Sequence, residues 1–191
     1  ELAARMQLSV PIAADLGTET KRIWEMYGLN CPTTAEFGRS CLLARRFIER
    51  GVRFVQLHVG GEFGAPRINW DGHHDLLSNH TQEAQRVDKP LAALVTDLRQ
   101  RGLLDDTLVI CSTEFGRTPF TESDAETLGK GRDHNPRGFA IWLAGGGVRR
   151  GHAHGGTDDF GHYAVVDKVT WPDLHATILH LIGINHRNLT Y

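Results

Sequence analysis

Residues 101–118 read RGLLDDTLVICSTEFGRT. Within that stretch TLVICST, from Thr107 to Thr113, is apolar on both of the alternating faces a strand presents. Such a run is expected in the middle of a parallel sheet, where both faces are covered. RGLLDD turns the chain into the strand, and Glu114 stands at its carboxyl end, three residues before Arg117. A carboxylate at the end of a buried strand is costly unless a cation or an arginine offsets it.

Working outward, the segment before this strand reads as a helix over 81–101. Val87, Leu91, Leu94, Val95 and Leu98 form its apolar stripe, and the helix is expected to be interrupted or started near Pro90, where Asp88 can cap. After it, FAIWLAG (Phe139 to Gly145) is a second buried strand. Thr170-Trp-Pro-Asp173 then forms a capping box for a last helix bearing Leu174, Ile178, Leu181 and Ile182. Nearer the N-terminus, RFVQLHV (Arg53 to Val59) reads as a strand. Residues 33–50 read as a helix capped by Thr33 or Thr34 and stopped by Gly51, and 19–28 as a shorter one. Residues 1–18 are an irregular N-terminal segment, and 19–191 are read as part of one domain. The order predicts an α/β domain with a mostly parallel central sheet flanked by helices. Its core is expected to hold Leu94, Leu98, Val109, Ile110, Ile141, Leu143, Ile178 and Leu181. In such sheets the site lies outside the carboxyl ends of the strands.

The chain of 191 residues is long enough for a sizeable core. A formal net charge of -2 points away from a nucleic-acid or anionic-membrane surface. No apolar run approaches the roughly 20 residues of a membrane span. ELAARMQLSV at the start lacks the basic-then-apolar pattern of a signal peptide, and Glu1 suggests a chain cut from something longer. Cys31, Cys41 and Cys111 are too scattered for a zinc ribbon.

Three clusters follow or precede the strands: Asp71-Gly-His73-His74-Asp75, Glu114-Phe-Gly-Arg117 and Arg132-Asp133-His134. Carboxylates and imidazoles without thiolates form the ligand set of a catalytic divalent metal rather than a structural zinc. Zinc is the first expectation, with manganese, calcium or iron as alternatives. Asp71, His73, Glu114, Asp133 and His134 are the candidate ligands. Arg117 and Arg132 are the candidate catalytic residues, as a clamp for two oxygens of a phosphate or sulfate. The competing reading of both is a salt bridge to Glu114 or Asp133. Gly145-Gly146-Gly147 lacks the lysine and hydroxyl of a phosphate-binding loop and is explained by a tight turn. His152 and His154 could reach the site or belong to a polar loop. No G-x-S-x-G elbow is present, which disfavours a serine esterase.

FGRSCLLARRFIERGVRFVQL, NWDGHHD, DDTLVICSTEFGRTP, GRDHNPRGFAIWLAGGGV and DLHATILHLIGINHRNLTY cover most of residues 37–191. With these stretches the chain resembles the bacterial proteins grouped as domain of unknown function fifteen-oh-one, placed in the alkaline phosphatase and sulfatase-like superfamily. The resemblance implies an alkaline phosphatase-like fold, of which this chain is the C-terminal portion. It puts Glu114 in the place of a metal-binding Asp and Phe115 where the phosphatases have a metal-binding His. It assigns Asp71 and His73 to the other metal, with His74 competing, and His134 to the late His of that metal. It also implies that the nucleophile lies outside this chain and that the full-length protein is exported or periplasmic. The function so expected is metal-dependent hydrolysis of a small anionic phosphate or sulfate ester, without nucleic acid or membrane span. The alternatives are a non-catalytic metal-binding or scaffold domain and a mutase of the phosphoglycerate type.

Overall fold

The computed structural model describes residues 11–60, 69–124 and 126–189. It divides into two compact units, one of Glu1–Asp71 with Ser78–Leu103, the other of Gly72–Leu77 with Leu104–Tyr191. The first ten residues of the irregular N-terminal segment, and most of the glycine-rich loop after residue 60, lie outside the described residues.

The first unit is helical. Helix α1 spans Lys21–Met26 and is capped by Thr20, whose hydroxyl accepts from the Ile23 N–H. Helix α2, Pro32–Glu49, starts on Cys31 with proline in its first turn. Thr34, expected as a cap, instead donates its hydroxyl to the Gly28 carbonyl at 2.6 Å. Phe37, Cys41, Leu42, Ala44 and Arg45 recur at helical spacing and are buried. Helix α3, Leu76–Gln100, starts five residues earlier than its sequence suggests and runs straight through Pro90. A proline inside a helix forfeits one backbone hydrogen bond. Here Pro90 lies on the buried face with Val87, Ala93, Leu94 and Leu98, so packing outweighs that loss.

Charges are packed into this helical core. The side chain of Arg45 is 2% exposed and meets Asp97 and Glu19 at 2.9 Å and Glu49 at 2.6 Å. The contacts of its Nε and Nη2 fall outside hydrogen-bond angles, so they act as ion pairs. Arg101 closes the set on Asp97 and Glu49, and the Tyr27 hydroxyl donates to Asp97 at 3.0 Å. Burial alone would disfavour the charge on Arg45, but Glu49, Asp97 and Glu19 raise its pKa above the ordinary value. Burial also pushes Glu19 up, yet Arg46 and Arg45 together bring its carboxyl below the usual range.

The second unit is built from short antiparallel ladders. β1 (Val109–Cys111) pairs with β4 (Trp142–Ala144), placing Val109 opposite Ala144 and Cys111 opposite Trp142. β2 (Gly116–Arg117) pairs with β3 (His134–Asn135), and β5 (Gly156–Thr157) with β6 (Ala164–Val166). Gly145, Gly146 and Gly147 all have positive φ and form the tight turn after β4. Helix α4, Trp171–Leu181, opens with the capping box of Thr170 and Asp173.

The described ladders have two strands each, and no parallel central sheet stands among them. The apolar faces of these strands are incompletely covered among the described residues. Ile110 is 38% exposed, and Val109, Ile141, Leu143, Ile178 and Leu181 are only half-buried, whereas Leu94 and Leu98 are fully inside. Residues 53–59 carry no ladder among the described residues; Val55, Leu57 and Val59 are half-buried there while Phe54 is exposed. No helix among the described residues is long and apolar enough to cross a membrane.

Candidate functional site

Three backbone segments of the second unit lie side by side: 72–76, 129–135 and 116–122. The middle one bonds to both neighbours. The Arg132 N–H donates to the Gly72 carbonyl and the Leu76 N–H to the Lys130 carbonyl on one side. On the other, Glu122 donates to Gly131 and Thr118 to Asp133, both at 2.9 Å. The approach is close enough that only glycine fits at position 131, where a Cβ would fall 1.6 Å from the His73 carbonyl oxygen. At position 129 a Cβ would meet the Glu122 carbonyl at the same distance. Thus GKGRDH is shaped to thread between the backbones that carry His73 and Glu122. Asn135 fixes the far end: it is 1% exposed and donates Nδ2 to the carbonyls of Gly138 and His162.

On this frame two imidazoles meet. His73 Nε2 lies 3.0 Å from His134 Nε2, and His73 Nδ1 lies 2.7 Å from a Glu122 carboxylate oxygen. One Nε2 must carry a proton to bond the other, or both must direct lone pairs at a shared cation. A tetrahedral zinc with Zn–N bonds of about 2.0–2.1 Å would space its ligand nitrogens about 3.3 Å apart, close to the observed separation. His73, Glu122 and Asp133 offer ligand atoms within 4.8 Å of one another. Asp71 belongs to the first unit. His73 is half-buried, and Glu122, Asp133 and His134 are exposed. Phe115 stacks on the His134 ring, with centroids 3.9 Å apart and planes at 25°, and fixes its orientation. The Asp133 carboxylate accepts the backbone N–H of His134 at 2.7 Å.

Of the residues singled out in the sequence, His73 and Asp133 thus fall in the carboxylate group, and His73 and His134 in the imidazole pair. Glu114 is exposed and belongs to neither. His74 is exposed and likewise outside them, so the geometry favours His73 of the two. His152 and His154 lie in an exposed loop with their rings 6.1 Å apart. Arg117 stands opposite His134 in the ladder, so their side chains share a face. Arg117 Nη1 donates to the Arg132 carbonyl at 3.1 Å, and Arg132 Nη1 donates to the Thr118 carbonyl at 2.9 Å. Neither contact is the salt bridge to Glu114 or Asp133 weighed from the sequence. Both guanidiniums thus hydrogen-bond across the ladder.

The family described as "Protein of unknown function (DUF1501)" matches residues 1–191. The chain belongs to that family. A search of curated proteins finds no match, and neither does a search of solved structures. In this DUF1501 chain the sequence missed Glu122, which lies in the long loop between the two apolar strands without any periodic pattern. The available signal was Gly129 and Gly131 in GKGRDH, since paired glycines mark close backbone approach. That approach brings Glu122 and His73 to either side of the same segment.

Proposed function

We propose that the second unit binds a divalent metal ion, zinc first, between His73 and His134, and that the domain is a metal-dependent hydrolase-like one acting on phosphate or sulfate esters. The observation that carries the metal is the pair of Nε2 atoms 3.0 Å apart, with carboxylates around them. All the donors are imidazole nitrogen or carboxylate oxygen, the set suited to zinc, manganese or iron. Asp133, which groups with His73, is the carboxylate offered as a further ligand. A bound cation would polarise an ester oxygen and stabilise charge as it develops there. We assign Arg117, which shares a face with His134, to orienting an anionic ester, with Arg132 bonded to the Thr118 carbonyl beside it. The ester class itself rests on the superfamily resemblance and on these arginines.

A second reading, a metal-binding domain without turnover, draws support from Phe115. Stacked on His134, it fills the position where the resemblance places another metal ligand, leaving ligands for a single ion. The whole protein, loaded with zinc, separates the readings with p-nitrophenyl phosphate and p-nitrophenyl sulfate as probes. Hydrolysis lost in both His73→Ala and His134→Ala supports the hydrolase. Metal uptake without hydrolysis supports the scaffold. Failure of the wild type to take up zinc, manganese or iron overturns both.

A further inference from the structure

We infer that Glu122 is a positioning residue for His73: by accepting the His73 Nδ1–H it leaves the Nε2 lone pair aimed at the point His73 shares with His134. The inference rests on the metal reading above and extends it to a residue outside the expected ligand set. Its geometric basis is the backbone. Glu122 bridges to Gly131, and Gly131 in turn lies against the His73 carbonyl, so three consecutive segments set the reach of the carboxylate. The resulting Nδ1 to carboxylate distance is 2.7 Å, that of a charge-assisted hydrogen bond. A carboxylate on the outer nitrogen of a metal-binding histidine selects the tautomer, holds the ring and raises its basicity.

The two histidines then have different tautomers without metal. His73 carries its proton on Nδ1, so at 3.0 Å the bond between the Nε2 atoms requires His134 to donate Nε2–H. On binding a cation His134 must release its Nε2 proton to solvent and take one up at Nδ1, while His73 is already in the ligating form. Glu122 is thereby distinguished from a direct ligand, because its partner is the nitrogen that faces away from His134.

The experiment is nitrogen-15 NMR of the histidine rings in the metal-free full chain, together with Zn²⁺ titration of the same samples. In the wild type His73 should be the Nδ1–H tautomer before and after Zn²⁺, and His134 should switch. Glu122→Ala should leave His73 a tautomer mixture and weaken Zn²⁺ binding by about 10- to 100-fold while keeping a single equivalent. Glu122→Gln, whose amide oxygen can still accept the Nδ1–H, should restore the tautomer and part of the affinity. Unchanged affinity and tautomer in Glu122→Ala would overturn the inference. So would abolition of binding to the level of His73→Ala, which would make Glu122 a ligand. A wild type that takes up no Zn²⁺ overturns the metal reading itself, and the role of Glu122 with it. Uptake indifferent to residue 122 overturns the role alone.

Discussion

In the first unit three guanidiniums, of Arg45, Arg46 and Arg101, meet three carboxylates, of Glu19, Glu49 and Asp97, with Arg45 and Asp97 shut away from water. In the second unit His73 meets His134 at one ring nitrogen and Glu122 at the other, with Asp133 near His73, and all four stay half-buried or exposed. The first set balances charge for charge and is closed by fixed partners, as buried ions must be. The second brings two imidazole nitrogens together, a contact that costs little when neutral and becomes favourable around a cation. A satisfied buried network reads as structure. An accessible pair of imidazole nitrogens able to share a cation reads as a site.

That contrast is broken most forcefully at Arg45. Arg45→Met should destabilise the protein by about 3–5 kcal/mol, because buried Asp97 and Glu19 lose their counter-charge. His73→Ala, measured without metal, should stay within about 0.5 kcal/mol, as expected of accessible positions. Denaturant unfolding of both variants checks the pair, and a mild Arg45→Met would show that its network is dispensable. Hydrophobic substitutions sharpen the same division. Leu98→Ala should cost about 2–5 kcal/mol, and Leu143→Ala on the half-buried β4 clearly less.

A smaller effect belongs to the metal. Zn²⁺ at a hundred times its Kd should stabilise the wild type by about 2.7 kcal/mol in a thermal melt and leave His134→Ala unmoved. An equal shift in both would place the ion elsewhere. Smallest is the acid response. Glu19, its carboxyl held below the ordinary range, contributes stability that is present above about pH 4.3. That contribution is lost as pH falls through the lower folded value. Glu19→Gln should therefore flatten the acid limb of stability against pH, and an unchanged limb would remove Glu19 from the account.

The helices were largely legible, because Phe37, Cys41, Ala44, Leu94 and Leu98 follow the helical period and their burial obeys it. The buried charges were not. Arg45, Glu49, Asp97 and Arg101 also lie four residues apart, a spacing shared with ordinary surface pairs, and only tertiary packing distinguishes them. The apolar runs at 107–113 and 139–145 were visible as strands. The direction of their pairing was not, since apolarity on both faces does not encode a partner. His73, Asp133 and His134 stood out as clustered ligand types, while Glu122 depended on a contact across 49 residues that no local pattern records.

The central claim, that His73 and His134 share one cation, is tested most directly by X-ray absorption at the zinc edge of the loaded protein. The expected spectrum has nitrogen and oxygen neighbours at about 2.0–2.1 Å with the outer-ring scattering of two imidazoles, and that signature is absent from both His134→Ala and His73→Ala. A zinc spectrum without imidazole scattering, or one that neither substitution alters, would contradict it.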